Sequence, residues 1–385
     1  MRTLFRGAKV FPISSDPFLG DVLVEDGKIK EVEKNSISNA DRVIDLKGKL
    51  LLPGFVDAHS HIGLYEEGVG FYYGSDGNEM TDPVTPNVRA IDAFNPQDPA
   101  ILRALKGGVT TVMILPGSAN PIGGQGAILK LNPSTVDEMI VKEPAGLKMA
   151  FGENPKRVYG EQKKTPSTRL GVTAVVRDYF LKVQDYMAEK EFAKKEGKPF
   201  TKRNSKYEIG EMVLKGEIPA RIHAHRADDI LTAIRIAEEF GFKFIIEHGT
   251  EGYKIVDILK EKKVSVVSGP LLTFRTKYEL KDMRMEALKI LNENGILTSL
   301  MCDHPVIPLE YSSIQAAAGL RYGSKEKDLL KMITINPAKI IGMDDRIGSI
   351  EKGKDADLVV WSGHPFDMSS KVESIYIEGK KIPLE

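Results

Sequence analysis

Eight apolar runs of strand length, near 50–59, 109–115, 126–131, 146–152, 219–225, 243–248, 264–268 and 296–303, alternate with helical patterns through the middle of the chain. Such alternation predicts parallel strands joined by crossover helices, and eight strands is the number that closes a TIM-type (β/α)8 barrel. The stretch from Asp228 to Gly241 shows the helical pattern well. It has acidic residues at its start, apolar residues at Ile230, Ala233, Ile234 and Ala237, and glycine at its end.

The two ends of the chain read differently. Residues 1–52 are short alternating strands, with Asp21–Glu25 and Lys28–Val32 flanking the hairpin signal Asp26-Gly27, and residues 345–385 repeat the pattern in Asp357–Trp361 and Val372–Ile377. Neither end can bury a core alone, so both are expected to form one small β-sandwich around a barrel of residues 53–344. Two excursions interrupt the barrel pattern, near 63–98 and near 158–217. Both leave from the carboxyl ends of strands, where barrel active sites lie, and are expected as lid-like walls. For the basic segment Lys198 to Lys206 within the second, a solvated helix and turn is the favoured reading.

With 54 basic and 54 acidic residues among 385, no global field draws nucleic acid or an anionic membrane, which leaves a small-molecule substrate as the expected partner. A homo-oligomer stays open. The single cysteine, Cys302, excludes an internal disulfide framework; with no signal-like or membrane-spanning run, a cytoplasmic protein is expected.

The candidate chemistry lies where the apolar runs end. His59 and His61 close the first run, and residues i and i+2 of a strand share a face, so their imidazoles form a chelate-like pair. Two hydrogen-bonded core histidines would satisfy the same spacing. However, His223 and His225, His248, and Asp303 with His304 close later runs, so six of the seven histidines sit at strand ends. That is the arrangement of a metal centre.

Several motifs, in order, resemble the metal-dependent amidohydrolase superfamily, in particular its imidazolonepropionase-like and prolidase-like branch. They are Leu52 to His61, Gly107 to Val112, Ile222 to His225, Ile246 to Gly249, Cys302 to Pro305, Thr334 to Lys339 and Gly348 to Val360. The resemblance implies a barrel with a β-sandwich built from both termini, and one or two divalent metal ions, zinc first, with iron, manganese, cobalt or nickel chemically acceptable. It implies His59, His61 and Asp303 as ligands of one ion and His223 and His248 as ligands of a second. Asp303 would also exchange a proton with water and the leaving nitrogen. In two-metal relatives a carboxylated lysine of the fourth strand bridges the ions. Lys148 has that register and is preferred over Glu153, which is expected at the strand mouth facing substrate.

His225 is expected to hydrogen-bond substrate or a carboxylate, with metal ligation as the lesser alternative, and Glu247 to support a ligand from behind. His304 is left between a role beside Asp303 or substrate and a structural one. The Pro116–Gly126 segment reads as a tight loop after the second strand, with Asn120 or Gln125 reaching the pocket. Lys156 and Arg157 could hold a substrate carboxylate, although a solvated pair fits equally. The favoured function is hydrolysis of a C–N bond in a small amide: a cyclic amide, an N-acyl amino acid or a dipeptide. A one-metal ring deaminase and a metal-binding barrel without catalysis are the alternatives.

Overall fold

The computed structural model describes residues 1–34, 40–68 and 75–385. Its strands form two sheets. One is built from both ends of the chain: β1 (Arg2–Val10), β2 (Phe18–Glu25), β3 (Lys28–Glu33), β4 (Arg42–Asp45) and β5 (Leu50–Pro53) join β14 (Leu358–Trp361), β15 (Val372–Ile377) and β16 (Lys380–Ile382). Their order is β16-β15-β14-β5-β1-β2-β3, with β4 also pairing β1. Asp26 and Gly27 turn the β2–β3 hairpin at φ 49° and 79°, the left-handed values that a tight two-residue turn demands. Phe5, Val22, Leu51, Leu358 and Tyr376 meet in one buried cluster, so the core draws on both termini, as the sandwich expectation requires.

The other sheet holds β6 (Phe55–Ser60), β7 (Val109–Ile114), β8 (Ile122–Lys130), β9 (Ile140–Ala150), β10 (Ala220–Ala224), β11 (Phe244–His248), β12 (Val266–Ser268) and β13 (Thr298–Leu300), side by side in chain order. The run read as one strand over 50–59 is thus two strands in two sheets, parted at Gly54. A Cβ on Gly54 would lie 2.0 Å from Thr110 Oγ1, so only glycine lets the chain pass from one sheet to the other. Across the barrel seam, Asp57, which also accepts from His59 N–H on its own strand (2.9 Å), accepts from the backbone N–H of Cys302 (2.8 Å), and His61 N–H donates to His304 O at 3.1 Å.

One expectation fails in part: β8 runs antiparallel to both β7 and β9, so the sheet is not parallel throughout. The segment between β7 and β8 is too short for a crossover helix, and a short connection can only reverse the strand. The expected helix near 228–241 is Ala227–Phe240, ended by Gly241 at φ 72°. The 158–217 excursion holds the helices Arg169–Lys195 and Ser205–Leu214. Part of the 63–98 excursion, residues 69–74, lies outside the described residues. No helix among the described residues is long and apolar enough to cross a membrane.

Candidate metal centre

The carboxyl ends of β6, β10, β11 and β13 bring together two groups of ligand-type side chains. In each, His59 with His61 and Asp303, and His223 with His225 and His248, the candidate ligand atoms all lie within 4.8 Å of one another. Strand pleating turns the histidines inward. His248 and Asp303 sit where the backbone turns at φ 68° and 53°, an uncommon conformation for these residues that aims their side chains at the barrel axis.

Hydrogen bonds fix which imidazole nitrogen each ring offers. His61 Nδ1 donates to Leu115 O at 2.7 Å and His248 Nδ1 to Gly269 O at 2.8 Å, while His59 Nδ1 donates to Glu247 Oε2 at 2.8 Å. Each ring therefore keeps its Nε2 lone pair for the barrel interior, the tautomer a metal ligand needs. His59 Nε2 and His61 Nε2 lie 3.3 and 3.2 Å from Asp303 Oδ1. Burial alone would raise the Asp303 carboxyl, but the close approach of the His59 and His61 rings overrides it and holds the group well below the usual range.

Lys148, on β9, is fully buried, and its Nζ lies 3.3 Å from His59 Nε2. It forms no ion pair among the described residues. Burial lowers its ammonium to about 8, against the pull of Glu247 and Asp303. His223 is also buried, and neither of its ring nitrogens has a hydrogen-bond partner among the described residues. Loss of water, reinforced by His248 and Lys277, pushes its pKa well down and keeps it neutral. The same happens at His225, whose Nδ1 meets Thr250 Oγ1 at 2.7 Å, and His248 falls to about 3 for want of solvation.

A cavity of about 740 Å³ reaches these groups; Tyr65, Glu153, Arg157, Phe274 and Lys277 are among the residues that line it. Glu153 is not on the fourth strand: β9 ends at Ala150 and Glu153 opens the helix Glu153–Glu161, facing the cavity but outside both ligand groups. Strand parity cannot reach it. Asn120 and Gln125, expected near the pocket, bind elsewhere: Asn120 Nδ2 donates to Glu79 O and Thr85 Oγ1, and Gln125 Nε2 to Pro86 O. His304 lines a separate cavity of about 280 Å³ with Arg103 and Glu310. Of Lys156 and Arg157, Arg157 lines the main cavity.

Three residues here had no assigned role in the sequence reading. Arg221 is buried, pairs with Glu247 Oε1 and donates through Nη2 to Ala58 O at 2.6 Å. Against burial, which would raise it, Arg221 and His59 hold the Glu247 carboxyl down at about 2. Parity was the available signal, because Arg221 precedes His223 by two residues and shares its face. Glu279, 1% exposed, and Lys277 come from the long connection between β12 and the helix Glu286–Glu293, where no periodicity pointed to them.

The sequence model of the Amidohydrolase family matches residues 50–382. Amidohydrolase tasK of Hapsidospora irregularis is 29% identical over 94% of this chain, which spans only 40% of that protein's length. An imidazolonepropionase of Thermoplasma volcanium is 23% identical, with 92% of this chain and 89% of that protein covered. Among solved structures, an amidohydrolase from Thermotoga maritima matches at 68% identity and TM-score 0.97 over 99% of both chains. A prolidase complexed with N-methylphosphonate-L-proline matches over 99% of both chains at TM-score 0.63 and 19% identity, a likeness of fold alone.

Proposed function

This chain belongs to the amidohydrolase family, whose members here act on C–N bonds, and we propose that it hydrolyses an amide C–N bond in a small molecule: a cyclic amide, an N-acyl amino acid or a dipeptide. The residues suit metal ions by a test of their own. A buried imidazole with both nitrogens unpartnered, as at His223, is costly unless something else satisfies it, and an ion at Nε2 does so. We assign His59, His61 and Asp303 as the residues that would hold one divalent ion and His223 and His248 as those that would hold a second, with Lys148, its Nζ carboxylated by dissolved CO₂ with loss of a proton, as the ligand they would share. Zinc is the first choice, although iron, manganese, cobalt and nickel suit these donors.

Bound there, the ions would supply Lewis acidity to the substrate carbonyl and the attacking water. The proton transfers fall to the chain. Asp303, kept ionised by His59 and His61, accepts a proton from water at its carboxylate and returns it to the leaving nitrogen. His225 presents an imidazole to substrate and Glu153 stands at the cavity wall.

The observation that carries this reading is Lys148: a fully buried lysine without a carboxylate partner among the described residues, touching His59. An ammonium is expensive there, whereas a carbamate between two cations is not. The test is metal analysis of protein grown without chelators, together with a screen of cyclic amides, N-acyl amino acids and dipeptides. Two ions per chain with amide turnover would support it. One ion with release of ammonia from a ring amidine would support the deaminase instead, and metal without any turnover the non-catalytic barrel.

A further inference from the structure

The active-site cavity has a cation fixed on its wall. Lys277 lines it beside His223, His225 and His248, its side chain only 18% exposed. Glu279 Oε1 at 3.0 Å and Asn154 Oδ1 at 3.1 Å hold the ammonium. Both acceptors are themselves anchored: Asn154 Nδ2 donates to Ser118 Oγ at 2.8 Å, and Glu279 Oε2 accepts from Glu153 N–H at 3.0 Å. An ammonium carries three N–H donors; Asn154 Oδ1 accepts one and Glu279 Oε1 stands beside it as an ion-pair partner, so at least one donor has no partner among the described residues. Glu279 Oε1 is 3.9 Å from Nε2 of both His223 and His225, which puts Lys277 Nζ two short steps from the histidine cluster. Arg157, one turn beyond Asn154 on the helix Glu153–Glu161, lines the same cavity and forms no ion pair among the described residues.

A pinned ammonium with a free donor close to the reacting centre suits an anion carried next to the scissile bond. In an N-acyl amino acid or a dipeptide, the carboxylate stands about 4 Å from the amide carbonyl carbon, one residue's reach. A cyclic amide without a carboxylate leaves the ammonium unused. Resting on the hydrolase reading above, the geometry points to Lys277 as a specificity-determining residue that binds the carboxylate beside the leaving nitrogen, with Arg157 as an outer second cation. The substrate class thereby narrows to N-acyl amino acids and dipeptides with a free terminal carboxylate.

The test compares N-acetyl-L-amino acids and dipeptides with the same compounds capped as terminal amides. Metal-loaded wild type, Lys277→Met and Lys277→Arg are used, with metal content and Tm recorded for each. A charge-assisted hydrogen bond predicts a wild-type preference for the free acid of roughly 10- to 100-fold in kcat/KM, expressed mainly in KM. Lys277→Met should bring the ratio to within about threefold, and Lys277→Arg should restore most of it. Should Lys277→Met fail to fold, Arg157→Met and Asn154→Ala carry the test, each lowering the ratio by about threefold or more. An unchanged ratio in the variants, or a wild type that turns over capped and free compounds equally, overturns the proposal while the hydrolase reading stands. If neither series is hydrolysed the proposal falls, and the hydrolase reading falls with it only when cyclic amides are not turned over either.

Discussion

Arg221→Met should be among the most damaging single substitutions in the barrel, and its cost should depend on pH in an unusual direction. Arg221 and Glu247 are 1% and 0% exposed, so removing the guanidinium strands a buried carboxylate and deprives Ala58 O of a donor. Breaking a buried pair from one side costs about 3–5 kcal/mol. The electrostatic part can be gauged independently: a carboxyl held at about 2 instead of 4.5 gains about 3 kcal/mol from its folded surroundings. In wild type this stabilisation is complete above pH 4.5 and is lost as pH falls from there through about 2. In Arg221→Met, burial is no longer opposed by the guanidinium and raises the carboxyl. A raised group favours the folded state only when protonated, so the variant's penalty is greatest at neutral pH and eases as pH falls. Urea unfolding of metal-free wild type and variant at pH 7 and pH 5 measures the gap directly, since histidines common to both largely cancel. The gap should be about 3–5 kcal/mol at pH 7 and smaller at pH 5. A gap under about 1 kcal/mol at pH 7, or one that widens toward acid, would refute the reasoning.

Other expectations concern the metal centre and the junction between the sheets. Asp303→Asn should retain most of its metal yet lose about a hundredfold or more in turnover; near wild-type rates on a verified substrate would remove it from proton transfer. Lys148→Ala should hold about one ion where wild type holds two, by elemental analysis, and apo wild type should recover activity faster when bicarbonate accompanies the metal. If Glu153→Ala loses the ion instead, the bridge belongs to Glu153. Chelation should lower Tm, because His223 and the carboxylate ligands lose a partner that only the folded state assembles; identical melting curves with and without chelator would count against the site. Gly54→Ala drives a Cβ into Thr110 and should cost about 1–3 kcal/mol, so an unchanged melting temperature would show that the passage between sheets tolerates a side chain.

Strand positions were legible because buried strands leave long apolar runs, and strand ends because ligand-type residues close those runs. Direction was not. Apolar periodicity is the same read either way along a strand, and only the length of the connection says whether the next strand reverses, so the pattern alone predicts β8 as parallel when it is antiparallel. The apolar pattern runs 50–59 together as one strand although the boundary between sandwich and barrel is drawn at 52/53, since both halves are apolar and only the close approach of Thr110 to Gly54 separates them. Glu153 shows another limit: parity carries information inside a strand and none past its end, and β9 ends at Ala150.

What periodicity leaves out is also what orients the site. His59 can offer Nε2 inward because Glu247 accepts the hydrogen bond from its Nδ1–H, and Glu247 can remain ionised in the barrel because Arg221 lies against it. Arg221 in turn donates to Ala58 O, the backbone of the strand that carries His59. The three side chains therefore join β6, β10 and β11 through charge while setting the tautomer of one imidazole. Such a loop of dependence exists only when the strands are assembled. The spacing of His59 and His61 identified candidate ligands, but the nitrogen each presents, and the charge at which Asp303 and Glu247 are held, follow from partners distant in sequence.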